Sequence, residues 1–285
     1  AGLVSLASPT AVARVCDARA ELPACMGEAC RLAVLTQAAH ECKTDDACTT
    51  CVKRLGWHSA TRFGTLKSGG LVARNDGQIA MVFTALETLR KTSKWMPAGV
   101  DVRGDRVPLK KVLEGIQVDS RVVEYMWVHR GYWQAARRSY RAALSQAKRD
   151  KSQSPRLLIA GYGAGGAVAE IAAWTLLVVD GWRVSSLHTF GAPAVGGEGW
   201  SRCADLLNLT RRTHRWRFDE GTEKTASGHA AFSQWLRERP ARSAGFQHVG
   251  DCKTLGSGKN RGLTRYIERL QELPRSAESC ADDLP

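Results

Sequence analysis

One stretch constrains this chain more than any other: Leu157-Leu158-Ile159-Ala160-Gly161-Tyr162-Gly163-Ala164-Gly165-Gly166-Ala167. An apolar run of strand length enters a cluster of four glycines and continues into residues that favour helix. Two physical demands produce such a turn. In the nucleophile elbow, G-x-S-x-G, flanking glycines allow a sharp bend that lifts a serine above the sheet edge. In G-x-G-x-x-G, glycines let a pyrophosphate approach a helix N-terminus. Gly161, Gly163 and Gly166 match the second spacing. The first is broken at its centre, where Gly163 stands in place of serine. From Leu157 to Val179 the single charge is Glu170, but the glycines interrupt the run, so strand, turn and buried helix are expected rather than a transmembrane segment.

The surrounding pattern alternates strand and helix. Leu71 to Arg74, the turn Asn75-Asp76-Gly77 and the run Gln78 to Phe83 predict a β-hairpin. Gly131 to Lys151 spaces Trp133, Arg137, Tyr140, Leu144 and Ala147 by three and four, which predicts an amphipathic helix with Arg138, Arg141 and Lys148 outside its apolar stripe. A strand at Arg156 to Ala160, a helix at Ala164 to Val179, a strand at Arg183 to Phe190 and another at Thr213 to Phe218 follow. A helix at Leu263 to Leu273 precedes an acidic tail at 276–285. This order predicts an α/β fold with a mainly parallel sheet over residues 57–275.

Six of the nine cysteines, Cys16, Cys25, Cys30, Cys42, Cys48 and Cys51, crowd the start of the chain. Residues 1–56 therefore read as a small helical unit, with one helix at Ala24 to His40 and a second capped by Thr44-Asp45-Asp46 and ending near Gly56. Helices this short have little core, and disulfides supply what burial does not. A zinc site on Cys48, Cys51 and His40 or His58 is the alternative, and a single CxxC argues weakly for it, so no metal is expected. Cys203 is the expected free thiol. No basic leader precedes an apolar stretch and the first residue is Ala1, which predicts a processed chain. Disulfides imply an oxidising compartment. The mitochondrial intermembrane space is preferred to the thylakoid lumen or the exterior.

The glycine-rich segment resembles the class 3 (fungal-type) lipase family, whose elbow reads G-H-S-L-G-G-A. Val128-His129-Arg130-Gly131-Tyr132 is similar to the family's V-H-x-G-F/Y, and Val82-Phe83-Thr84-Ala85-Leu86-Glu87 stands where it has F-R-G-T. Thr189-Phe190-Gly191-Ala192-Pro193-Ala194-Val195-Gly196 resembles T-F-G-x-P-R-V-G, and Phe246-Gln247-His248-Val249-Gly250 resembles the segment with the catalytic histidine. The resemblance implies an α/β-hydrolase fold with Gly163 at the nucleophile position and Ala164 after it. Leu86 then falls at the oxyanion position, His248 at the base and Asp219 at the acid. These positions are expected to converge at the C-terminal edge of the sheet around a filled cleft. Ester hydrolysis needs all of these roles filled, so the resemblance implies a degenerate, catalytically inactive site. The dinucleotide alternative lacks an acidic residue where the strand ends Ser186-Leu187-His188-Thr189. No cofactor is expected.

Forty-one basic and 28 acidic residues give a net charge of +13, which implies an anionic partner. Arg130, Arg137, Arg138, Arg141, Lys148, Arg149, Lys151 and Arg156 are joined by one acid, Asp150. Arg211, Arg212, Arg215 and Arg217 interleave with Trp216 and Phe218, but no recognised nucleic-acid motif accompanies them, so nucleic acid is not expected. The expected role is an accessory or structural subunit of a larger, organellar-membrane complex, with anionic lipid as a second contact. The alternatives are a lipid-binding protein, a residually active acyl-ester hydrolase and a dinucleotide-binding oxidoreductase.

Overall fold

Strands that are apolar on both sides demand a sheet covered on each face. The computed structural model has such a sheet; it describes residue 16 and residues 27–65, 68–84, 106–108, 126–148, 155–219, 248–257 and 262–273. Its strands are β1 (Ser59–Thr65), β2 (Ser68–Asn75), β3 (Gln78–Thr84), β6 (Arg156–Tyr162), β7 (Val184–Phe190), β8 (Thr213–Asp219) and β9 (Asp251–Ser257). Among the described residues they lie in the order β1-β2-β3-β6-β7-β8-β9. β1, β2 and β3 pair antiparallel, and every pair from β3 onward is parallel. The short strands β4 (Arg106–Pro108) and β5 (Trp127–His129) pair separately. The expected hairpin and mainly parallel α/β sheet are present. Strands β1 and β9 were not legible in the sequence.

The helices are α1 (Glu28–Glu41), α2 (Asp45–Arg54), α3 (Arg130–Ala147), α4 (Ala164–Val178), α5 (Glu198–Leu206) and α6 (Leu263–Glu272). Side chains alternate across the strands, as the two-residue period requires. Ile79, Met81, Phe83, Leu157, Ile159 and Leu187 face α3, α4 and α5. Ala80, Val82, Leu158, Ala160, Phe190 and Trp216 face the other layer, which holds α1, α2 and α6. Helices α1 and α2, within the stretch 1–56 expected as a small helical unit, pack in this second layer. These helices are too short to bury their own apolar faces, and the sheet offers the missing partner. Thr44 caps α2 by accepting from the Ala47 N–H at 3.2 Å, and Thr49 Oγ1 donates to the Ala60 carbonyl at 2.9 Å.

Disulfides join Cys16 to Cys51 and Cys42 to Cys48, and Cys30 is disulfide-bonded as well. Oxidised sulfur is no zinc ligand, so the zinc alternative on Cys48 and Cys51 falls. Cys203, buried, and Cys252, exposed, are free. Cys25, Cys280, Leu86 and the acidic tail lie outside the described residues. No helix among the described residues is long and apolar enough to cross a membrane.

Candidate functional site

Strand β6 leads into Gly163, whose backbone sits at φ 55°, ψ −125° before helix α4 begins at Ala164. A left-handed φ of this kind strains any residue with a Cβ, and glycine adopts it freely. The turn is held by its own backbone. The Gly163 N–H donates to the Phe190 carbonyl at 2.9 Å, and the Gly163 carbonyl accepts from the Gly166 N–H at 3.0 Å. The neighbouring glycines serve close packing. A Cβ on Gly161 would lie 2.3 Å from the Gly165 carbonyl oxygen, and one on Gly165 would lie 2.4 Å from that of Phe83. The cluster thus has the geometry of an elbow wedged between β3 and its own helix.

The elbow stands at the C-terminal edge of the parallel strands. Ala164 opens α4, whose first N–H groups have no acceptor within the helix. Thr84 ends β3 beside the elbow, buried, its hydroxyl donating to the Gly69 carbonyl at 3.1 Å. Asp219 closes β8 at the same edge. Tyr162 is half-buried and meets Tyr266 of α6 edge-on, 6.1 Å between ring centres. It therefore packs on the layer formed by α1 and α6.

His248 is elsewhere, and here the expectation of a converging set is corrected. It precedes β9, which runs parallel to β8 with Asp251 opposite His214. A Cβ on Gly250 would lie 2.4 Å from the carbonyl oxygen of Thr213, the first residue of β8. Parallel register aligns Thr213 with Leu187 and Leu187 with Ile159, four residues before the elbow. At about 3.3 Å per residue, His248 lies more than about 13 Å from Gly163 along the strands alone, and β9 is three strands away. In a parallel sheet, residues before a strand and residues after one stand at opposite edges. His248 is exposed, and the surrounding protein followed by the Arg215 and Arg217 charges holds its imidazole below the ordinary value. A base in a triad is instead paired with a carboxylate.

A second polar cluster, invisible in the sequence, lies between α1 and the sheet. Glu28 of α1 accepts from Ser186 Oγ at 2.6 Å and pairs with His188 Nε2 at 3.2 Å, with Arg156 3.5 Å away. The Trp216 indole donates to His188 Nδ1 at 3.2 Å. An indole N–H only donates, so Nδ1 is unprotonated and Nε2–H points at Glu28. Burial alone would raise the Glu28 carboxyl, but its donors His188 and Ser186 together with Arg156 outweigh that and hold it at about 2. The ring of His214 lies 4.7 Å from that of His188, and its buried Nδ1 has no hydrogen-bond partner. Burial, then His188 and Lys253, lower its imidazole to about 4. Histidines at inward positions of two adjacent apolar strands were the one sequence signal for this cluster. The contribution of Glu28, 158 residues from Ser186, had none.

The cluster makes stability depend on pH. The unfolded chain binds a proton on His214 near 6.5, whereas the folded chain resists until about 4. Protonation across that window therefore favours unfolding, so stability is complete above pH 6.5 and is lost as pH falls towards 4. Urea unfolding at pH 7 and at pH 4.5 is expected to show a loss of about 2–3 kcal/mol from this residue. His40, lowered to about 4 by burial and Arg62, adds to it. His214→Phe should remove its own share, about 2–3 kcal/mol, of the pH dependence; an unchanged slope would exclude His214 as a source.

The family model for class 3 lipases matches residues 90–215, a span that includes the elbow and stops short of His248. A secreted mono- and diacylglycerol lipase of Gibberella zeae is 36% identical over 80 residues. That match covers 27% of this chain and a fifth, 20%, of the relative's length. Among solved structures, lipase II from Rhizopus niveus shares the fold with a TM-score of 0.53 at 18% identity, over 81% of this chain and 80% of its own. The Rhizomucor miehei lipase in its propeptide complex gives 0.52 at 18% identity, over 79% and 66%. The chain is thus similar to class 3 lipases over residues 90–215 and shares the fold of the fungal lipases, a mainly parallel sheet flanked by helices.

Proposed function

We propose that this protein is a class 3 lipase relative that does not hydrolyse esters and acts as an accessory, structural subunit of a larger assembly. The observation that carries the first half is Gly163. The elbow keeps its backbone shape, but the residue at its apex has no atom to attack a carbonyl. A missing serine nucleophile costs about 10⁶ in kcat where it has been measured in subtilisin. The placement of His248 at the far edge supports the same reading. A retained fold, a basic surface and an added disulfide-bearing layer support the second half.

The relatives named above are lipases, so acyl-ester hydrolysis through another nucleophile is the competing reading. Assays with short- and long-chain acyl esters are expected to give background turnover for the native chain. Gly163→Ser, alone and with Leu86→Thr, should also stay at background, because His248 stands at the opposite edge of the sheet. Turnover well above background in the native chain would overturn the proposal, and rescue by Gly163→Ser would show a base that the described residues do not supply. Native mass and co-purifying chains test the subunit role, and a free monomer without partners would count against it. The disulfides fit an oxidising compartment. The likeness to a secreted lipase favours the secretory route, whereas the intermembrane space rests on charge and cysteine content alone.

A further inference from the structure

Helix α3 carries Arg130, Arg137, Arg138 and Arg141 and no acidic residue over its 18 residues. These four arginines are exposed, as are Gln134, Ser145 and the capping Lys148, while Tyr132, Trp133, Ala136, Tyr140 and Leu144 are buried. Spacing by three and four places the basic side chains in one solvent stripe about 27 Å long. Such a stripe is ordinarily balanced by acids at i+4, and here α3 offers none.

The end of the stripe is apolar. Helices α3 and α4 both run antiparallel to β6 and pack side by side, so their C-termini emerge together. Lys148 and Arg141 act on the carboxyl of Asp180, which puts the neighbouring Val179 at the foot of the stripe. Val179 is 42% exposed, and the chain folds back after it, the Trp182 backbone N–H donating to the Leu176 carbonyl at 2.9 Å while the half-buried Trp182 side chain packs on the core. Helix α5 lies against α4 through the Trp174 and Trp200 rings, 5.2 Å apart, so Leu206, 68% exposed, emerges at the same edge. Val179 and Leu206 are the exposed large apolar residues among those described, and both stand at the sheet edge opposite the elbow.

We propose that the α3 stripe, with Val179 at its foot, docks on an anionic lipid bilayer. The argument is charge complementarity joined to an apolar contact: acidic headgroups neutralise the arginines while Val179 enters the interfacial region. An acidic protein would satisfy the charges and leave the apolar foot unused. Single-stranded nucleic acid would need stacking platforms, and Trp133 and Tyr140 are turned into the core. The apolar foot of the stripe stands at the sheet edge away from Gly163, while Arg130, at the start of α3, stands towards the elbow's edge.

Co-sedimentation of the full chain with phosphatidylcholine vesicles, with and without one third phosphatidylserine, tests this. Binding is expected to the anionic vesicles alone and to vanish at high salt. Arg137→Glu with Arg138→Glu and Arg141→Glu should weaken it about a hundredfold. Arg31→Glu with Lys43→Glu and Lys53→Glu changes the net charge equally at exposed sites on α1, α2 and the turn between them, and should leave binding within about twofold. Val179→Glu should weaken binding as well. Equal losses from the two triple variants would assign binding to overall charge and overturn the proposal. So would indifference to phosphatidylserine at low salt, or binding to a single-stranded oligonucleotide in place of vesicles. Unchanged melting of the variants, whose replaced side chains are exposed, keeps misfolding out of the comparison.

Discussion

Gly161→Ala is expected to cost about 3 kcal/mol or more, the upper end of what overpacking a core costs. The added methyl would lie 2.3 Å from the Gly165 carbonyl oxygen, 2.5 Å from its carbon and 2.7 Å from the Gly166 nitrogen. All three are backbone atoms of α4, so no side-chain rotation relieves the clash and the helix must shift from the strand. At Gly163 the obstacle is different in kind. Its φ of 55° penalises a Cβ through local strain, about 1–3 kcal/mol, and Gly163→Ser should stay near that range. Guanidinium unfolding of the two variants beside the native chain checks the order. A Gly161→Ala protein as stable as the native one would mean that this glycine is not held by packing, and the phosphate-cradle reading of the cluster would reopen.

Reduction of the N-terminal disulfides should have the other large effect. Cys16–Cys51 closes 35 residues and Cys42–Cys48 closes six. The chain-entropy relation assigns about 4 and about 2 kcal/mol to loops of these lengths. Their sum of about 6 kcal/mol is comparable to the whole stability of an ordinary domain. The loss is structural as well as entropic, because α1 covers Ala80, Val82, Leu158 and Ala160 on the sheet. Cys16→Ser with Cys51→Ser, and separately full reduction confirmed by thiol count, should lower the unfolding midpoint and expose that apolar face to a hydrophobic dye. An unchanged midpoint in reductant would mean that α1 is held by burial and by the Glu28 pairings with Ser186 and His188 alone.

The elbow was legible in the sequence because its information is local. Four apolar residues, a glycine cluster and a helix-forming run specify strand, tight turn and helix within about a dozen positions, and no distant partner is needed to read them. The same holds for the hairpin around Asn75, Asp76 and Gly77 and for the amphipathic stripe of α3. Strand β1, Ser59–Thr65, escaped because its run mixes Ser, Thr and Arg with few apolar residues, as an edge strand does. Helix α5 escaped because nine residues give too few turns for a period to show.

What only the tertiary structure decided is direction and adjacency across the sheet. The motif order along the chain places His248 after Gly163 and Asp219, but it says nothing about which end of β9 the histidine precedes. The parallel pairing of β8 and β9 settles that, and it puts His248 at the edge opposite Gly163. The joining of α1 to the sheet was hidden for a related reason. Glu28 finds Ser186, His188 and Arg156 because two strands and one helix meet there, and no spacing within any one segment encodes the encounter. Local periodicity determined the pieces of this protein; strand order and register, which depend on burying both faces of one sheet, determined which of its polar residues share a site.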